Sequence, residues 1–324
     1  MPYNSVISRS EAAALIPESA SREIVQQIVT DNPVLRLARR LQNMPRGQQR
    51  MPVMSALATA YFVSPTDTGL KQTTEVNWAN KYINAEEVAA IVPIPQAVLD
   101  DADYDIWAEI KPALVQAFNR AIVAAVLGGT NIPASWTTNL GAAGLLAGAT
   151  AAGQVISLAN YGDLYEAILS ENAGGDKGLL MLLEEDGYMA TGHVAAVEMR
   201  GKLRGVRDVN GNPIFMRSMQ QAGQYELDGA PVEFPLDGSV NPAQYLDIAG
   251  QWDQLVYATR QDMTYKVLDQ AVITDDAGAI VYNLAQQDMV ALRAVMRLGF
   301  ALPNPVNAVN TNAATRFPFS FLTA

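Results

Sequence analysis

The chain has 324 residues, 49% of them hydrophobic, enough to build a sizeable core in two ordinary domains or one elaborated one. Its 33 acidic residues outnumber 22 basic ones, a net charge of -11, which excludes nucleic-acid binding over a broad surface because phosphate contacts need clustered Lys and Arg. The absence of cysteine excludes disulfides, zinc–thiolate sites and thiol nucleophiles.

The start lacks a basic stretch followed by an apolar one, so it does not read as a secretion signal. No run is expected to reach the ~18–20 apolar residues that span a bilayer. The nearest, residues 140–159, is broken by Gly, Thr, Gln and Ser. Residues 1–20 carry little periodicity and read as an arm. Short helices are expected at 23–29 and 34–41, separated by Asn32-Pro33, with a linker from Pro45 to Pro52. Residues 53–63 and 75–91 read as two extended runs flanking a turn with Pro65, Asp67 and Gly69. An isolated hairpin is at best marginally stable in water, so this excursion needs a surface to lie against, such as a neighbouring subunit.

A long helix follows. Ile106, Ile110, Leu114, Ala117, Phe118, Ala121, Ile122 and Ala125 recur at three- and four-residue intervals as one apolar stripe. Asp105 is placed to cap its start, and Gly128-Gly129 to stop it. From Ile106 to Leu127 it would span roughly 33 Å, with a kink expected at Pro112. A Gly- and Ala-rich loop is expected next, then a helix at 163–172, a buried strand at 178–183 and a second helix at 191–204. Asn210-Gly211 marks a turn, and 227–234 reads as a short strand with a turn. Strands are expected at 255–259, 263–268 and 279–282, with a turn at 275–278. Residues 288–298 fit helix or strand, and Phe300 onward is extended and Pro-rich. Mixed elements of this kind indicate an α+β class.

No catalytic constellation emerges. Asp101, Asp103 and Asp105 match the start of a calcium loop, but Ile106 and Pro112 stand where that loop needs Gly and Glu, so a capped helix start is the better reading. His193 is the single histidine and reads as structural, at an expected helix start. Gly141, Gly144 and Gly148 have the wrong spacing for a dinucleotide loop and read as a flexible loop. Arg293 and Arg297 lie one turn apart if helical, placed to meet carboxylates on a neighbour or to form a solvated face. Residues 316–322, with Phe317 and Phe319, read as an apolar peg or a packed tail.

The order of segments carries a resemblance. Its residues are Ala14-Leu-Ile-Pro17, Ile91-Val-Pro-Ile-Pro95, Leu99-Asp-Asp-Ala-Asp103 and Gly128-Gly-Thr-Asn-Ile-Pro133. Further along come Met199-Arg-Gly-Lys-Leu203, Asp208-Val-Asn-Gly-Asn-Pro213, Asp228-Gly-Ala-Pro-Val232, Asp288-Met-Val-Ala-Leu-Arg293 and Arg297-Leu-Gly299. Together they resemble the major capsid proteins of tailed phages, with the Hong Kong 97-type fold, over nearly the whole chain.

The resemblance implies an N-terminal arm (1–47), an extended E-loop hairpin (48–90), a P-domain in two parts (91–131 with a spine helix, and 252–324 with the C-terminal tail) and an A-domain (132–251). It implies a non-enzymatic, cofactor-free and metal-free subunit that assembles with itself into pentamers and hexamers of an icosahedral shell. That shell encloses double-stranded DNA without sequence-specific binding or a membrane. The implied location is the virion capsid, assembled in the host cytoplasm. The implied partners are a separate scaffolding protein and a portal, with a decoration protein as a further option. No large maturation cleavage is expected. The residues from Pro45 to Pro52, Pro112 and Gly128-Gly129 are candidate places to absorb the difference between pentamer and hexamer. Some relatives join an E-loop Lys to a P-domain Asn of another subunit. Lys71 and Asn304, Asn307, Asn310 and Asn312 are the residues available, without a matching Lys–Asn–Glu context. Candidate inter-subunit contacts are therefore Lys71, Arg293, Arg297, Phe317 and Phe319. The alternatives are an encapsulin nanocompartment, whose members tend to begin with a helix where this chain has a Ser- and Pro-containing start, or a gene-transfer-agent shell.

Overall fold

The computed structural model describes residues 31–62, 71, 73–101, 105–169, 171–172, 174–207, 210–212, 225–275 and 277–324. The expected arm, the helix at 23–29, the turn with Pro65, Asp67 and Gly69, and Asp103 of the calcium-loop reading lie outside them.

Asn32-Pro33 opens a helix. The Asn32 side chain accepts from the Leu35 amide at 3.1 Å and Pro33 takes the first helical position of α1 (Pro33–Leu37). The helix expected to reach residue 41 ends at Leu37, and the chain passes into β1 (Arg39–Arg40). β2 (Gln48–Ala56) and β3 (Asn77–Asn84) form an antiparallel ribbon from Gln48↔Asn84 to Ala56↔Asn77. The expected linker is therefore partly strand; Pro52 is tolerated because a two-stranded ribbon is all edge. The expected run at 75–91 parts at Ala85, and β4 (Glu86–Pro95) joins a different sheet.

α2 (Gln96–Asp101) precedes the long helix α3 (Ile106–Gly128). Asp105 caps α3 by accepting from the Ala108 amide at 3.2 Å, and Gly129 closes it at φ 73°. The helix continues through Pro112. The Gly129 and Gly144 backbones touch: a Cβ on Gly144 would lie 2.6 Å from the Gly129 nitrogen, so neither position tolerates a side chain. By length and composition α3 could cross a membrane, correcting the expectation that no run is long and apolar enough. Its apolar face is instead buried against protein at Leu114, Phe118, Ile122 and Val126.

The expected Gly/Ala loop is two helices, α4 (Ala134–Leu140) and α5 (Leu145–Ala152), closed by left-handed glycines at 141 and 153 respectively. In α5 the propensity of its alanines and leucines outweighs the internal Gly148. After β5 (Val155–Ser157) and α6 (Leu164–Leu169), the expected strand at 178–183 is helix α7 (Leu179–Glu185); a short leucine run has no period that separates the two. The expected helix at 191–204 divides into β6 (Gly192–Ala195) and α8 (Val197–Gly205), which moves His193 onto a strand. β7 (Tyr225–Leu227) and β8 (Ala230–Glu233) turn at Asp228-Gly229, and β9 (Asp247–Gly250) follows.

The expected strands at 255–259 and 263–268 are one bulged strand, β10 (Val256–Leu268). β11 (Val272–Thr274) and β12 (Ile280–Asn283) form a small hairpin, and α9 (Leu284–Gln287) leads into β13 (Met289–Ala301). The helix-or-strand ambiguity at 288–298 thus resolves as strand. The chain ends in β14 (Phe319–Thr323).

Two sheets organise these elements. The first has the order β1-β10-β13-β4, and the second β5-β14-β9-β6-β8-β7. The first half of α3 packs Leu114 and Phe118 onto Leu292 and Ala294 of β13. Its second half places Ile122 and Val126 in a core shared with Phe300 of the first sheet and Phe319 and Phe321 of the second. α3 is therefore the element that both sheets share.

Candidate assembly surfaces

Among the described residues, His193 and Asp247 form the one acid–base pair suggestive of catalysis. They sit on neighbouring strands β6 and β9, with His193 Nδ1 3.0 Å from Asp247 Oδ2. Both side chains are fully buried, so a substrate has no access to either. Among the described residues, no group of three or more His, Asp or Glu is placed to hold a metal ion. Asp105 is occupied as a helix cap.

The surface carries more information. Along the β2–β3 ribbon, Met54 faces Trp78, Pro52 faces Asn80 and Arg50 faces Tyr82, so these six share one side. The other side holds Val53 and Ile83, both buried against the body. Trp78 remains 67% exposed, with Tyr82 and Met54 exposed beside it. The two arms of the ribbon are joined at its base by Ala85 N–H donating to Gly47 O (2.8 Å), and the ribbon is tied to the body at Met54 O by Val306 N–H (3.2 Å). The β11–β12 hairpin likewise exposes Val272, Ile280, Val281 and Tyr282. Exposed apolar surface of this kind marks interaction sites.

The expected contact residues separate into different places. Lys71 is exposed. Arg293 and Arg297 share the outward face of β13 because they lie four apart on a strand. Arg293 is exposed, whereas Arg297 meets Glu87 of its own chain, with Nε at 2.8 Å and Nη2 at 2.5 Å from Oε2. Phe317 and Phe319 are buried in the chain's own core with ring centroids 6.2 Å apart, which corrects the peg reading. β14 fills the slot between β5 and β9, so these aromatics have no free face to offer a neighbour.

One cluster escaped the sequence reading. Asp186 accepts from Gln154 Nε2 (2.8 Å), Asn310 Nδ2 (2.6 Å) and the Phe317 amide (2.9 Å), while its carbonyl accepts from Asn307 Nδ2 (2.7 Å). Buried Arg316 donates to Asn304 Oδ1 (3.1 Å) and to the Asn304 and Asn310 carbonyls. Tyr188 donates to Asn304 Oδ1 at 2.8 Å. Burial pushes the Tyr188 phenol above its ordinary value, opposed by nearby Arg316. Three of the cross-link candidates, Asn304, Asn307 and Asn310, therefore pin the segment 302–318 to the body, while the Asn312 side chain bonds within that segment, accepting from the Ala314 amide. The spacing Asn304, Asn307, Asn310, Asn312 was the available signal, but its partner lies over a hundred residues away.

Residues 12–311 match the family model described as the phage capsid family. The chain belongs to that family. This capsid chain is 24% identical over 305 residues to the major capsid protein of Staphylococcus phage 80alpha, covering 92% of the chain and 84% of that protein. A solved structure from Microbacterium phage Oxtober96 superposes with a TM-score of 0.80 at 29% identity, covering 98% of this chain and 99% of that one. A gene-transfer-agent capsid, computed with C5 symmetry, shares 17% identity at a TM-score of 0.66 over 99% of this chain and all of that one; the likeness is of fold alone.

Proposed function

We infer that this capsid chain builds the shell of a tailed phage as its major capsid protein. Capsid proteins of this family self-assemble into shells, and the location that follows is the virion capsid. The observation that carries the reading is the β2–β3 ribbon, whose outer side leaves Trp78, Tyr82 and Met54 uncovered by its own chain. A ribbon so placed is completed by another copy, and closed symmetry then limits growth.

The ribbon, within residues 48–90, corresponds to the E-loop of the Hong Kong 97-type fold, with residues 1–47 as the arm. In the same correspondence α3 is the spine helix, 91–131 and 252–324 form the P-domain with the tail, and 132–251 the A-domain. Two pairings favour adjusting those bounds. β4 runs from Glu86 into the P-domain sheet, and β14 belongs by hydrogen bonding to the A-domain sheet. Pentamers and hexamers of an icosahedral shell, double-stranded DNA as cargo, and assembly in the host cytoplasm complete the proposal. So do a scaffolding protein, a portal and a decoration protein as partners. The phage reading is preferred to a gene-transfer agent because the Microbacterium phage structure is nearer in both sequence and shape than the gene-transfer-agent capsid.

Electron microscopy of the purified chain, alone and co-expressed with its genomic neighbours, tests this. Angular shells or five- and six-membered rings are expected. A persistent monomer or dimer under both conditions would overturn it.

A further inference from the structure

β10 and β13 place Lys266 directly opposite Arg293, and β4 places Ile91 on the other side of Arg293. Residues opposite one another in antiparallel strands share a face, so two cations and an apolar side chain line up across the sheet. Like charges in that arrangement destabilise the strands that carry them. Among the described residues neither the Lys266 nor the Arg293 side chain takes part in a hydrogen bond or ion pair. The carboxylate on the same face, Glu87, is already held by Arg297. Lys266 and Arg293 are exposed, and Ile91 is 43% exposed beside them.

We propose that Lys266 and Arg293 form a docking site for carboxylates of a second copy of this chain, with Ile91 as its apolar margin. Charge complementarity selects this occupant. With 33 acidic against 22 basic residues, any second copy presents an excess of carboxylates. A nucleic-acid backbone is the poorer fit, because it needs a clustered basic surface and here two cations are bordered by an isoleucine on β4 and, four residues along β13, by an already neutralised ion pair. Docking converts a repulsion within the subunit into attraction between subunits, so the unassembled chain carries strain that the shell relieves. The inference deepens the shell reading and rests on it.

Two measurements test the site. Shells are assembled from an equal mixture of ¹⁵N-labelled and unlabelled subunits and treated with a carbodiimide. The reagent joins a lysine amine to a contacting carboxylate and takes up the lost oxygen as its urea. Digestion and mass spectrometry should find Lys266 peptides joined to Asp- or Glu-containing peptides in mixed-isotope pairs. Lys266 joined only to same-isotope peptides, or to none, overturns the site. In parallel, Lys266→Glu and Arg293→Glu subunits should keep or raise the Tm of the unassembled chain, because each creates an opposite-charge pair, while shell yield falls at least tenfold. Unchanged yield overturns the proposal, as does a yield loss accompanied by a lower Tm. Normal yield with impaired DNA retention also overturns it, in favour of phosphate contact. If wild-type subunits form no shells, the shell reading itself has failed.

Discussion

The β2–β3 ribbon and the C-terminal strand β14 are both extended segments with aromatic side chains, yet they end in opposite situations. β14 has hydrogen-bonded neighbours on both edges, and Phe319 and Phe321 are fully buried. Among the described residues the ribbon pairs only with itself, and its Trp78 and Tyr82 face outward. Aromatic content does not distinguish them; the number of strands that flank each one does. A segment completed within its own chain serves folding, while one left uncompleted is available for assembly.

Substitutions should separate the two. Phe319→Ala should cost the unassembled subunit about 3–5 kcal/mol in denaturant unfolding, because it empties a site packed edge-to-face on Trp252 with centroids 5.2 Å apart. A loss below ~1 kcal/mol would mean β14 is held more loosely than its pairing indicates. Next in size is Asp186→Asn, which places an amide N–H among donors and weakens the pin behind β14. About 1–3 kcal/mol is expected, with earlier proteolysis within 302–318.

A third effect comes from the same core. Burial raises the Tyr245 phenol well above its ordinary value of 10.0. Its stabilisation is therefore present below pH 10 and lost as pH rises further, because the unfolded chain ionises first. The loss should approach ~1.4 kcal/mol per pH unit, and Tyr245→Phe should flatten it by that amount. An unchanged alkaline slope in the variant would remove Tyr245 from the account.

The ribbon should give the reverse pattern. Trp78→Ser with Tyr82→Ser should shift subunit stability by no more than ~0.5 kcal/mol, yet abolish rapidly sedimenting shells. Shells at wild-type yield would show that the ribbon's outer side is not an interface. Smallest of all, boiling shells in SDS should leave one band at 34.9 kDa, since the side chains of Asn304, Asn307 and Asn310 are engaged within their own chain. A ladder would return Lys71 to a covalent role.

The helix α3 was legible, and β10 in two pieces, because their signals are local. The Asp105 cap, the Gly129 stop and the apolar stripe between them are read within one segment. The turns at Asp228-Gly229 and Asp275–Gly278 likewise announce their hairpins. Residues 178–183 and 191–195 were misread because short apolar runs carry no period, and sheet neighbours decide their form. The outward face of the ribbon and the Asp186 cluster were illegible for a related reason. Arg297 finds Glu87 across 210 residues and Asn310 finds Asp186 across 124, and no spacing rule reaches that far.

The position of β14 also sets an order of events during synthesis. It occupies the second slot of its sheet, but it is made after every strand it joins. On the ribosome, β5 and β9 therefore wait with the edges that face each other unfilled until translation has passed residue 323. A prematurely terminated copy would lack the wedge that closes the core around Trp252 and Tyr245. A chain cut short before residue 319 should therefore fail to fold, which would keep incomplete copies from being built into a shell.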